Sequence, residues 1–158
     1  MEITADNHYT LDAIASYSGV PHKCIIGAAK RHKLPISLMY ALLSVEGGKL
    51  GTESYNKADK TYDYGPSQIN SWWIKNSWKI PKLKKMNVTI DGLKYDACNN
   101  IEISAIIMRD NLNGADSTWV GIGRYNSWSD GNNFAYRIKI YKALKKIAAS
   151  NKELTAAR

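Results

Sequence analysis

The residue whose type and setting could do chemistry is Glu46. It closes an almost wholly apolar run, Leu38-Met39-Tyr40-Ala41-Leu42-Leu43-Ser44-Val45, and is followed at once by Gly47-Gly48. A carboxyl at the C-terminal end of a buried helix meets two effects that raise its pKa. Desolvation disfavours the anion, and the partial negative charge of the helix terminus opposes it again. An acid kept protonated near neutral pH is what protonating a leaving group requires. The plain alternative is a solvated glutamate at a helix end, so the surrounding elements have to decide.

Those elements read as predominantly helical, without repeats or a low-complexity linker. Thr10 can cap a short helix through about Tyr17, ended by Gly19 and Pro21. A second helix is expected over 23–32, with Cys24, Ala28 and Ala29 small enough for close packing. Pro35 then opens the helix that carries Leu38, Leu42 and Val45 on one stripe and finishes at Glu46. From Gly47 to Asn70 the helical period disappears among turn formers, and the Tyr/Thr-rich stretch can pair as a short irregular hairpin. A loop of about two dozen residues in a compact domain is more often functional than incidental.

Helix is expected again over 71–78, followed by a Lys-rich connector with Pro81. Asp96 caps a long helix with Ile101, Ala105, Met108 and Leu112 as its core stripe and Gly114 beyond its end. Asp116 starts a shorter helix to about Arg124, and Tyr125-Asn126-Ser127 form a loop. Asn132 or Asn133 starts a final helix with Phe134, Ile138, Tyr141, Leu144 and Ile147 inward. The organisation is an N-terminal extension (1–22), one domain (23–149) and a tail (150–158) expected to fray.

The bulk properties fit one domain of 158 residues, 44% apolar and 23% charged. No apolar stretch nears the ~20 residues that span a bilayer. The first residues have neither a basic n-region nor an apolar core, so they are not read as a signal peptide. The formal charge of +8 gathers in two places, at 75–94 and at 137–146. It favours an anionic partner such as nucleic acid, membrane headgroups or an acidic polymer, or it is simply a solvated face. No nucleic-acid motif accompanies the charge. Cys24 and Cys98 suit one disulfide in an oxidising compartment, with two buried thiols as the alternative; a bridge would add about 4 kcal/mol through loop entropy. No Cys or His stands at metal-ligand spacing, so neither a metal nor a cofactor is expected.

Three segments stand apart from the helical scaffold: Glu46-Gly47, the stretch from Asp63 through Gly65, Ser67 and Gln68 to Asn70, and Gly123-Arg124-Tyr125-Asn126. With Cys98-Asn99-Asn100 between the last two, their order and spacing resemble the lytic transglycosylases, lysozyme-like enzymes that cleave the glycan of peptidoglycan. The resemblance runs from about Cys24 to Tyr141. It is closest to the specialised branch that accompanies conjugation and type III or type IV secretion machines. It implies a lysozyme-like α+β fold, predominantly α, and a periplasmic or secreted location with any signal peptide removed. The implied partners are peptidoglycan strands and possible secretion or conjugation apparatus proteins, with no nucleic acid. Two positions depart from the pattern: Gly47 stands where many relatives carry Ser, and Ser67, expected with its loop among the substrate-binding residues, puts a hydroxyl where Met or Leu is usual.

The resemblance makes Glu46 the acid and, in the second half of the reaction, the base. Gln68 donates and accepts at once, which suits N-acetylated sugars; it can equally stabilise its own loop. Gly65 permits a tight turn that brings backbone donors near the sugar. Asn70 is a helix cap or a ligand contact, and Asn126 contacts sugar or fixes its loop. Tyr125 is expected to hydrogen-bond Glu46 and orient it. A conventional glycosidase needs a second carboxylate ~5–10 Å away. Glu53, Asp59 and Asp63 are candidates, whereas the family implies none: the substrate's acetamido oxygen and 6-hydroxyl do the work, leaving a 1,6-anhydro sugar. Asp63 is then expected to organise the loop around Gly65. Of the five tryptophans, Trp72, Trp73 and Trp128 lie beside the motif loops and suit sugar stacking, while Trp119 is expected in the core. Competing readings are a hydrolytic muramidase, a cell-wall or secretion-apparatus binding module without catalysis, and, more distantly, a basic nucleic-acid binder.

Overall fold

A computed structural model describes residues 16–156, with side chains described through 150. Two short strands, β1 (Ser16–Tyr17) and β2 (Val20–Pro21), form a hairpin that leads into α1 (His22–Arg31) and α2 (Ile36–Glu46). A three-stranded antiparallel sheet follows, β3 (Glu53–Asn56), β4 (Thr61–Tyr64) and β5 (Ile69–Asn70), in the order β3-β4-β5. The remaining chain is helical: α3 (Trp72–Asn76), a 3-10 turn (Ser77–Lys79), α4 (Pro81–Lys84), α5 (Ile90–Tyr95), α6 (Ala97–Asn113), α7 (Thr118–Arg124) and α8 (Asp130–Ala156). The fold is predominantly α with a small antiparallel sheet, consistent with the lysozyme-like architecture.

Two helices are central because their apolar residues do not keep to one stripe. In α2, Leu38, Met39, Ala41, Leu42 and Leu43 are all buried, and only a narrow face at Ser37 and Ser44 is exposed. In α6 the apolar residues divide. Ile101, Ala105 and Met108 pack into a core shared with α1, α2 and α8, whereas Ile103, Ile106 and Ile107 pack under the sheet with Tyr64, Ile69, Leu83 and Leu93. Thus α6 is the wall between two cores, and Tyr125 touches both. Asp96 caps α6 by accepting from Asn99 N at 2.9 Å.

Cys24 in α1 and Cys98 in the first turn of α6 are disulfide-bonded. The same pair of helices is tied by Glu102, which accepts from Arg31 Nη2 at 2.6 Å and lies 2.6 Å from His32 Nε2.

Several expectations change. The helix from Thr10 falls mostly outside the described residues, and its described end, Ser16–Tyr17, is a strand because Gly19 (φ 78°) turns the chain back on itself. The Lys-rich connector contains α4 and α5; Pro81 starts the first and Thr89 caps the second, accepting from Gly92 N. Ser117, not Asp116, caps α7. The final helix starts at Asp130, ahead of Asn132 and Asn133, and is described to Ala156. Its inward stripe is Asn133, Tyr136, Ile140 and Ala143, with Leu144 and Ile147 beside it; Phe134, Ile138 and Tyr141 face outward. The sequence carries two apolar stripes on this helix. The one containing Ala143 packs inward, and the small side chain allows close approach to the core. Trp119 is also exposed, since α7 turns Gly121, Ile122 and Gly123 inward.

The disulfide closes a loop containing α2 and the whole sheet, with a sequence separation of 74. The Cys24→Ser/Cys98→Ser variant is expected to lose about 3–4 kcal/mol in urea unfolding. An unchanged midpoint and slope would show that the bridge does not restrain the unfolded chain.

Candidate active site

The two cores leave a groove of about 690 Å³ between them, with the sheet on one side and the α7–α8 connection on the other. Glu46 enters it from the end of α2. Asp63, Gln68 and Asn70 line the sheet side, and Tyr125 and Asn126 line the opposite side. Trp72, Trp73 and Trp128 also face the groove, and Ile69 and Ile107 contribute apolar floor.

Glu46 is the last residue of α2; Gly47 (φ 62°) follows in the left-handed region, its N–H bonding Leu43 O at 3.0 Å. That C-cap ends the helix abruptly and leaves the carboxyl pointing into the groove. Burial pushes Glu46 up to about 7. The hydrogen bond from Tyr136 opposes this, the charge of Asp63 adds to it, and Lys139 opposes it. Tyr136 Oη donates to Glu46 Oε1 at 2.7 Å. The orienting tyrosine is therefore Tyr136, not Tyr125, and its place on the inward stripe of α8 brings it there. Tyr125 does something else: its hydroxyl donates to Ser67 O at 2.8 Å and lies 3.2 Å from Ser104 Oγ. Its ring stacks on Tyr136, with centroids 6.3 Å apart. Burial, and then the nearby Glu46 charge, hold the Tyr125 hydroxyl well above its ordinary pKa, so it is a neutral donor.

The loop from Gly65 to Gln68 is clamped from behind by Asn100. This buried side chain accepts from Ser67 N at 2.9 Å and donates to Tyr64 O at 3.0 Å and Leu93 O at 2.9 Å. Two backbone groups of the turn, Ser67 N and Tyr64 O, and one carbonyl of α5, Leu93 O, are satisfied by one amide. Gly65 has φ 67°, and a Cβ there would collide with Leu93 O and Asn100. A Cβ at Gly48 would collide with the Gly65 carbonyl, so the chain just after Glu46 lies directly on this loop. The acid and the loop are thus a single packed unit.

The structure divides the residues expected to bind substrate. Gly65 and Ser67 are buried and do not line the groove; they build the turn. Gln68 lines it, but Nε2 donates to Gly65 O at 3.0 Å, so its loop role is present and its carbonyl end is what remains for a ligand. Asn70 accepts from Trp72 N at 2.9 Å at the start of α3 and donates to Asp63 Oδ1 at 2.9 Å and Thr61 Oγ1 at 2.8 Å. Asn56 Nδ2 donates to the other oxygen, Asp63 Oδ2, at 2.9 Å. Two amides therefore fix the Asp63 carboxylate on the groove wall, where its charge reaches Glu46 and Tyr125. Asp59 also lines the groove, but Oδ1 is taken by Thr61 N and Oγ1. Glu53 pairs with Lys94 at 3.3 Å outside it.

No protein-family model matches the chain. Over 137 residues it is 30% identical to the invasion protein IagB of Salmonella typhi, an alignment that covers 82% of this chain and 81% of that protein. The chain belongs to the IagB family. It is also 30% identical over 105 residues to the invasion protein IagB of Salmonella typhimurium strain SL1344, covering 66% of this chain and 61% of that protein.

Sequence reasoning missed Tyr136, Asn100 and Asn56 as parts of this groove and its supports. Asn100 carried a signal, since it closes the Cys98-Asn99-Asn100 motif. Tyr136 carried only its position on a helix whose inward stripe was read one residue off. Among the described residues no cluster of ligands suits a metal ion.

A carboxyl whose pKa is raised on folding stabilises the folded state most below its unfolded value. That contribution is lost as pH rises from about 4.5 through about 7. Glu46→Gln should therefore remove a downward stability slope of about 3 kcal/mol over that window; parallel wild-type and variant profiles would contradict the raised pKa. Tyr136→Phe removes a bond that lowers the Glu46 pKa, so any activity requiring the protonated acid should retain its alkaline limb but at higher pH. A limb that moves down or stays put would show that Tyr136 does not act through Glu46.

Proposed function

We propose that this protein is a peptidoglycan lytic transglycosylase, cleaving the β-1,4 bond between N-acetylmuramic acid and N-acetylglucosamine without consuming water. The observation that carries the reading is Glu46: a carboxyl desolvated enough to hold its proton near pH 7, oriented by Tyr136, and facing an open groove. Glu46 gives its proton to the glycosidic oxygen as the bond to C1 breaks. The substrate's 2-acetamido oxygen supports C1 as the leaving group departs. The Glu46 carboxylate then takes the proton of the 6-hydroxyl, whose oxygen closes onto C1 to form the 1,6-anhydro product. Atoms balance without an added nucleophile.

The walls suit this substrate. Trp72, Trp73 and Trp128 present amphipathic rings on which sugar faces stack, and the Gln68 carbonyl and Asn126 offer hydrogen bonds to amide and hydroxyl groups. Gly65 and Ser67 act by shaping the loop, and Tyr125 by fixing it through Ser67 O. A desolvated acid has no use in a pure wall-binding module. The disulfide supports a periplasmic or secreted location, and no helix among the described residues is long and apolar enough to cross a membrane. The role that follows from this reading is to open the wall locally for a secretion or conjugation apparatus; the relatives are named invasion proteins.

One observation favours a second reading, a hydrolytic muramidase. Asp63 is held by two amide donors on the groove wall and its charge is felt at Glu46, the arrangement a second carboxylate needs to stabilise positive charge at C1 or to form a glycosyl bond.

Digestion of purified sacculi separates the two. Transglycosylation gives muropeptides one water lighter than hydrolysis, and Asp63→Asn should slow that reaction without changing the product. Reducing-end products that vanish in Asp63→Asn would establish the muramidase. Glu46→Gln should cut release by at least about a thousandfold; full activity in that variant would exclude both.

A further inference from the structure

The face of α8 turned away from the core has no role in the groove, because no residue of α8 lines it. Phe134, Ile138 and Tyr141 are 57%, 38% and 49% exposed and follow each other at helical spacing, so they form one continuous ridge. Trp119, 39% exposed, meets Tyr141 edge to face with centroids 6.1 Å apart and widens the ridge onto α7. Cations sit directly on these rings: the Arg137 guanidinium lies 5.2 Å from the Phe134 centroid and Lys145 Nζ 5.6 Å from that of Tyr141. Exposed Lys142 and Lys146 continue the charge, and between residues 131 and 150 there is no acidic side chain.

Three properties together identify a partner. Along residues 131–150 the charge is of one sign and outweighs Asp116 beside Trp119 and Asp130 at the helix start, so the partner is anionic. The outer side of a surface helix is a ridge rather than a cleft, which suits a deformable layer better than a peptide that needs a groove. The apolar residues are mostly Trp, Tyr and Phe with Lys and Arg stems beside them, side chains that place an apolar body in an interface and a polar tip in water. We propose that this face of α8, with Trp119, seats the protein on a bilayer rich in anionic phospholipid, the rings among the headgroups and the cations on the phosphates. Tyr136 projects from the opposite side of the same helix to Glu46, so a seated molecule keeps its groove uncovered.

The test is co-sedimentation of the whole protein with vesicles of phosphatidylcholine alone or of equal parts phosphatidylcholine and phosphatidylglycerol. Wild type should bind the anionic vesicles, release them as salt is raised, and ignore the neutral ones. Lys142→Glu/Lys145→Glu should weaken binding at least about tenfold, and Phe134→Ser/Tyr141→Ser should do likewise. Lys84→Glu/Lys85→Glu changes net charge by the same amount elsewhere and should bind as wild type. All three pairs are on the surface, and unchanged circular dichroism confirms folding. Equal loss in the Lys84→Glu/Lys85→Glu control, or binding that survives the α8 changes, would overturn the proposal. So would failure on both vesicle types. Capture of an acidic amphipathic peptide by wild type but not by Lys142→Glu/Lys145→Glu, without vesicle binding, would make the face a protein interface instead.

Discussion

A carboxyl can hold a proton near neutral pH only if the protein withholds water from it, and only if nothing nearby replaces that water too well. At Glu46 this balance organises the molecule. The apolar helix α2 delivers the side chain to the seam between two cores, and Gly47 ends the helix there. One hydroxyl, from Tyr136, orients the carboxyl while partly offsetting its desolvation. Asp63 supplies a negative charge that favours the neutral acid. A stronger donor in place of Tyr136 would stabilise the anion and deprive the site of its acid.

The same constraint explains the construction of the loop behind the groove. Just after Glu46, Gly48 lies on Gly65 with no room for a side chain between them, and the turn at Gly65 leaves backbone groups that need partners. Asn100 satisfies two of them, Ser67 N and Tyr64 O, from a fully buried position in α6, and holds Leu93 O of α5 with the same side chain. The disulfide between Cys98 and Cys24 anchors the start of α6 to α1, two residues before Asn100. Covalent bridge, buried amide and glycine contact thus form a chain of supports ending at the acid.

Much of this was legible in sequence. The end of α2 at Glu46, the Asp96 cap, the interruption between Gly47 and Asn70 and the tryptophans beside the motif loops depend on local chemistry that spacing records. What was not legible depends on which of two equivalent stripes faces inward. The last helix carries Phe134, Ile138 and Tyr141 as convincingly as Tyr136, Ile140 and Ala143; only packing against α2 chooses between them. That choice hid Tyr136, while Tyr125 stood out only through its motif. Ser67 illustrates a second limit: a hydroxyl in a motif loop reads as a ligand contact, while the turn geometry buries it and uses its backbone instead.

Carboxyl carbon-13 NMR titration of the folded protein, with Glu46 assigned by its absence in Glu46→Gln, measures the central quantity directly. A midpoint near 7 is the result expected from its burial. A midpoint at the ordinary value of 4.5 would mean that Glu46 is a solvated anion at neutral pH and cannot be the acid of this site.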